Sequence, residues 1–219
     1  MLGASSINLI SSSNFESRIR KGFFSNLTLL VSDNLSKWGF KKFFNSILYF
    51  SLQIFEPIEL IFAKNFTKKG GKFLYCENKN EVLQYFDEIL IENNWTLNSI
   101  TCKNDFLIDY FGLRKLNNKD IIDAEIITCE FLVANKGSIL VSSNQISTKK
   151  LNEISENLIV FAKNSQFSSD VSESMSLLNS KYETKPTNIT TINAFDTKSE
   201  IDFLSYGRTS KNLYLIVQE

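Results

Sequence analysis

The 219-residue sequence contains no histidine. That absence removes the side chain that most often moves protons near neutral pH and most often ligates transition metals. Cysteine is scarce as well: Cys76, Cys102 and Cys129 are odd in number and widely spaced. They form no CxxC pair and no spacing that holds an iron–sulfur cluster. No disulfide framework is expected, a reducing compartment is, and the thiols read as small buried hydrophobes. Basic and acidic residues number 24 each, so no net charge draws the chain to nucleic acid or to an anionic membrane. Proline (2) and glycine (8) are few beside 19 phenylalanines, a bias that fits an AT-rich genome rather than a function. GxGxxG, Walker, HExxH and GxSxG motifs are all missing.

Long apolar runs are missing too. Residues 47–55 are apolar and aromatic, but Glu56, Pro57 and Glu59 cut the run short of the ~20 residues that span a bilayer. This stretch reads as a buried core or docking helix, with a surface or partner-binding helix as the alternative. The first 14 residues are rich in Ser and Asn, without the basic and apolar regions of a signal peptide. The expectation is a cytoplasmic protein that does not span a membrane.

The hydrophobic content of 43% and charged content of 22% suit a globular domain. Residues 1–60 are expected to form an N-terminal extension: a polar arm over 1–36, then a helix over 37–66. Residues 61–219 are expected to form an α/β domain. Strands are predicted at 72–76, 97–102, 158–162, 189–192 and 213–217, and helices at 80–92, 105–111, 168–182 and 197–205. Residues 145–155 read as a polar loop. Strands alternating with helices at this spacing argue a mostly parallel sheet with flanking helices.

The densest strand signal is residues 123–143, DAEIITCEFLVANKGSILVSS. Short β-branched runs flank Asn135-Lys136-Gly137, residues that tolerate a positive φ, so a hairpin is predicted there. Alternation is weak in both arms, which predicts that both faces are covered.

The same stretch resembles the signature of the LUD domain family, the LutC-type lactate-utilisation proteins. There a segment I-T-x-A-x-x-x-I-A-E-T-G-T recurs. Ile127-Thr128 begins it here, and Ala134-Asn135-Lys136-Gly137-Ser138 stands where the family has Ala-Glu-Thr-Gly-Thr. The order of elements from about residue 62 onward is similar as well. The resemblance implies a Rossmann-like, NagB/RpiA/CoA-transferase-like fold. It also implies an accessory role beside iron–sulfur or flavin oxidoreductase subunits. The chain itself has no ligand set for a cluster, so no cofactor or metal of its own is expected.

The departures bear on chemistry. The family's turn carries a carboxylate where this chain has Asn135, an amide that neither takes up a proton nor attacks well. Lys136 adds a positive charge, Gly137 is kept, and Ser138 keeps a hydroxyl. Asn135, Lys136, Gly137 and Ser138 are therefore candidate ligands for a small anion; the alternative is a turn that only satisfies backbone geometry. Arg208, in the loop 206–211 before the last strand, is a second candidate, because guanidinium suits phosphate and carboxylate. The family's Gly-x-His-Gly-Pro-like loop there has lost its His and Pro in this chain. Catalytic residues are not identifiable. Three readings remain: an accessory subunit, an enzyme or sensor for a small carboxylate, acyl-CoA or phosphorylated ligand, and a structural protein that kept only the fold.

Overall fold

The computed structural model describes residues 56–114, 121–194 and 210–219. Residues 1–55 of the extension expected over 1–60, the apolar stretch 47–55 within them, the helix expected at 197–205 and Arg208 lie outside these residues. In chain order the elements are α1 (Ile58–Lys68), β1 (Lys72–Cys76), α2 (Lys79–Asn93), β2 (Ile100–Cys102), α3 (Asp105–Phe111) and β3 (Ala124–Thr128). Then come β4 (Phe131–Val133), β5 (Ser138–Val141), α4 (Ser143–Ile146), β6 (Asn157–Lys163), β7 (Phe167–Ser168), α5 (Val171–Lys181), β8 (Thr190–Ala194) and β9 (Ser210–Gln218).

Helices α2, α3 and α5 begin where short polar side chains can accept from free backbone N–H groups. Asn78 accepts from Glu81 N at 3.1 Å, Asn104 from Leu107 N at 3.2 Å, and Asp170 from Glu173 N at 2.9 Å. The Asp170 cap explains why α5 starts at Val171 and not at Ser168, as expected. The stretch read as a polar loop carries α4, opened by a Ser142 cap, and a 3-10 turn at Leu151–Glu153.

Five strands run parallel in the order β2-β3-β6-β9-β1. One edge of β9 pairs with β6 along seven residue pairs. Its other edge is divided: residues 214–218 pair with β1, and Ser210 and Lys211 pair with β8. From β8 a smaller sheet continues through β5 and β4 to β7. The β8–β5 and β5–β4 pairs are antiparallel. The fold is α/β with a mostly parallel sheet, as the sequence predicts.

Side-chain parity builds three layers of core, because successive strand residues point to opposite faces. Leu158, Val160, Leu213 and Leu215 face one way and meet α1 and the inner face of the small sheet. Ile159, Phe161, Tyr214 and Ile216 face the other way and meet α2 and α3. The outer face of the small sheet, with Phe131, Val133 and Leu140, is closed by Leu178 of α5. Both faces of the central hairpin are thus covered, which is why its arms do not alternate.

Candidate functional site

The predicted hairpin is present, with Val133 opposite Ser138 across a four-residue turn. Gly137 takes φ +53, and a Cβ built on it would stand 2.4 Å from the backbone of Asn65 and Phe66. The turn is therefore pressed against α1. Asn65 Nδ2 donates to the carbonyls of Ala134 at 2.9 Å and Asn135 at 3.3 Å. The backbone N–H groups of Ala134 and Asn135 donate to Ser168 and Ser169. Asn135 and Lys136 are exposed, and Ser138 is buried. The ammonium of Lys69 donates to the Lys136 carbonyl, and burial together with the Lys136 charge pulls its pKa down. Lys211, the last residue of the loop expected over 206–211, instead lies in β9, 4% exposed, and donates to the Ile154 carbonyl.

A carboxylate not singled out from the sequence dominates the opposite end of the hairpin. Glu130 stands two residues beyond β3 and is 0% exposed. Its Oε1 accepts from Ser142 Oγ at 2.8 Å, Asn144 Nδ2 at 3.0 Å and Gln145 Nε2 at 3.1 Å. Its Oε2 accepts from Lys181 Nζ at 2.9 Å and Tyr182 Oη at 3.0 Å. Burial alone would raise this carboxyl; bonds from Lys181, Ser142, Asn144 and Gln145 outweigh it and hold the pKa at about 2. Glu130 is thus ionised well below the usual carboxylate range, and its two oxygens accept from five donors. It ties α4 and the end of α5 to the strand.

Asn144 and Gln145 also line a cavity of about 470 Å³. Its other walls are residues 103–106 leaving β2, residues 126–128 at the end of β3, and Ser147. The location follows from topology. Chain leaving β2 turns to α3 on one face of the sheet; chain leaving β3 turns to the hairpin on the other. Between neighbouring parallel strands whose connections part to opposite faces, a crevice opens beyond the carboxyl ends, and ligands of open α/β sheets bind in such crevices. The volume falls in the range of small-molecule sites.

The lining is polar. Thr128, Asn104, Asn144, Gln145 and Ser147 bring hydroxyl and amide groups to it, and Lys103 and Asp105 bring charges. Ser147, on the rim, takes φ 56 and ψ −131, a backbone region costly for any residue with a Cβ. Asn188, itself at φ 51, fixes it by donating to the Ser147 and Lys149 carbonyls at 3.0 and 2.9 Å. Among the described residues, no group of three or more Cys, Asp or Glu is placed to hold a metal ion. No described helix is long and apolar enough to cross a membrane.

The fold has a solved counterpart. A DUF162 family protein from Deinococcus radiodurans superposes with a TM-score of 0.54 and 12% sequence identity, over 74% of this chain and 96% of that one. DUF162 is the LUD domain family, so the likeness agrees with the resemblance carried by residues 127–138. At this identity it speaks for the fold. No protein-family model matches the sequence. No curated protein matches it either.

Of the residues singled out from the sequence, Asn135 to Ser138 are brought together, in the turn on α1. The crevice is lined by others. The signal for Glu130 was present: one charge inside the run Thr128 to Ala134, which otherwise reads as buried strand. A buried charge must be paired, and its partners came from α4 and α5, 12 to 52 positions away.

Proposed function

We propose that this chain is a divergent LUD-like protein that binds a small polar ligand in the crevice beyond β2 and β3. It serves lactate utilisation as an accessory component, and any redox centre sits on partner iron–sulfur or flavin oxidoreductase subunits. The crevice carries the first half: a polar cavity at the point where two adjacent connections leave the sheet to opposite faces. The second half rests on the sequence resemblance, on the lack of histidine and of cluster-forming cysteine spacing, and on the agreement of fold with a DUF162 protein. A cytoplasmic setting belongs to the same reading. The ligand class is a small carboxylate, a phosphorylated metabolite or an acyl-CoA.

Thermal unfolding against lactate, inorganic phosphate and acetyl-CoA tests the crevice, since a ligand that binds only the native state raises its stability. The expected result is a rise in Tm with at least one, lost in Thr128→Val. No rise with any of the three, or a rise untouched by Thr128→Val, overturns the site. Affinity capture from the host grown on lactate tests the partner reading. Co-recovery of iron–sulfur or flavin oxidoreductase subunits is expected, and recovery of the chain alone overturns it.

A second reading concerns the hairpin turn. Lys69 and Lys136 lie close enough for one to lower the other's pKa. An anion held there by Lys136 and the Asn135 amide would relieve that repulsion. Lys136→Ala distinguishes the readings: it weakens anion binding at the turn and leaves binding in the crevice unchanged.

A further inference from the structure

An amide side chain offers two donors at one end and an acceptor at the other, so its orientation decides what it recognises. At Asn144 the orientation is imposed. Glu130 is a buried carboxylate that can only accept, and Asn144 reaches its Oε1 at 3.0 Å. The group turned to Glu130 is therefore the NH2, and Oδ1 is turned away from it. That oxygen takes no hydrogen bond from any described residue, and Asn144 is exposed on the crevice wall. Gln145 differs: its NH2 also meets Glu130, but its Oε1 is spent on Ser142 N at 2.8 Å. Of the two amides, only Asn144 keeps an acceptor for a ligand. Glu130 is itself held by Lys181 and Tyr182 from α5, so it does not swing toward the ligand.

We infer that Glu130 is a positioning residue that locks the Asn144 amide with its oxygen toward the crevice, so that the crevice selects ligands bearing a hydrogen-bond donor, a hydroxyl or ammonium group, at that point. The inference rests on the crevice being a ligand site and adds what the site discriminates. A ligand that offers only acceptors there meets Oδ1 without a partner, and an unpaired polar contact in a site built for one is penalised.

Two measurements on the full-length protein test it. The first needs no ligand: NMR of the Asn144 side-chain NH2, one proton of which is held by the carboxylate. Its two proton signals are expected to be widely separated in the wild type and to draw together in Glu130→Gln. Overlapping, freely exchanging signals in the wild type overturn the lock. The second compares matched probes, lactate and alanine against propionate, which differ by a hydroxyl or an ammonium group. Lactate or alanine is expected to bind about tenfold more tightly than propionate, the worth of one hydrogen bond. Asn144→Ala removes one of the five donors to Glu130 and leaves the charge paired with Lys181; it is expected to remove the preference, and it serves where Glu130→Gln is too unstable to measure. Equal binding of all three probes overturns the inference and leaves the crevice as a ligand site. Binding of none overturns the inference, and overturns the crevice as well if phosphate and acetyl-CoA also fail to bind.

Discussion

Glu130 and Lys181 form an ion pair at 2.9 Å in which the carboxylate side chain is 0% exposed and the ammonium side chain 46% exposed. One partner has lost its water and the other has kept part of it. The pair therefore depends on the four further donors around Glu130 to offset the desolvation of the carboxylate.

Glu130→Gln removes the charge and turns an NH2 toward groups that are all donors. The expected cost is about 3 kcal/mol, measured by urea unfolding at pH 7. The pH dependence follows from the carboxyl being held at about 2 in the folded state. A depressed carboxyl contributes stability that is fully present above its unfolded pKa and is lost as pH falls through the folded value. Wild-type stability is expected to drop between pH ~4.5 and ~2, and the variant's curve to be flatter there. Equal acid limbs in the two proteins would remove Glu130 as their cause.

Gly137→Ala forces a side chain into the left-handed region and against the backbone of Asn65 and Phe66. A loss of at least about 2 kcal/mol is expected, because neither backbone can step aside without moving α1 or the hairpin. Asn65→Ala, which removes two hydrogen bonds from the same contact, is expected to cost less, about 1–2 kcal/mol. Chemical denaturation of the two variants checks the order.

Phe62 is fully buried and meets the rings of Phe66, Phe73 and Phe167 at centroid distances of 5.3, 6.0 and 5.4 Å. It is the point where α1, the parallel sheet and the small sheet converge. Phe62→Ala is expected to cost about 3–5 kcal/mol and to lower Tm, while Phe106→Ala, at an exposed position, leaves Tm nearly unchanged.

The three cysteines are free, with Cys76 and Cys129 buried and Cys102 partly exposed. Burial raises the thiols of Cys102 and Cys129, and the Glu130 charge adds to the rise at Cys129. A disulfide-exchange reagent on the native protein at pH 8 is expected to modify Cys102 slowly and the other two only on unfolding. Rapid labelling of Cys129 would contradict the buried setting of the Glu130 cluster.

Much of this fold was legible in the sequence. β1, α2, α3, β6 and β9 stand within about three residues of the predicted elements, because continuous apolar strands and capped amphipathic helices declare themselves locally. Strand β7 was missed: it is two residues long and exists only because Leu132 and Val133 pair with it. Helix α4 was missed for a similar reason, since a four-residue segment with three polar residues becomes helical only with Ser142 capping it and Glu130 binding the Asn144 and Gln145 side chains. The crevice is a property of connection handing, which no local pattern encodes.

The division of β9 between two neighbours on one edge also bears on how the chain reaches its native state. Lys72 and Tyr214 are neighbours across the sheet, yet 142 positions separate them. Until β9 takes its place, β1, β6 and β8 each present an unsatisfied edge at the centre of the molecule. The parallel sheet cannot zip from a local turn; β9, the interior strand that joins β6 to β1, is the last described element to leave the ribosome. Folding is therefore expected to be slow, on the order of milliseconds to seconds, with a collapsed species that is most prone to aggregate while β9 is undocked.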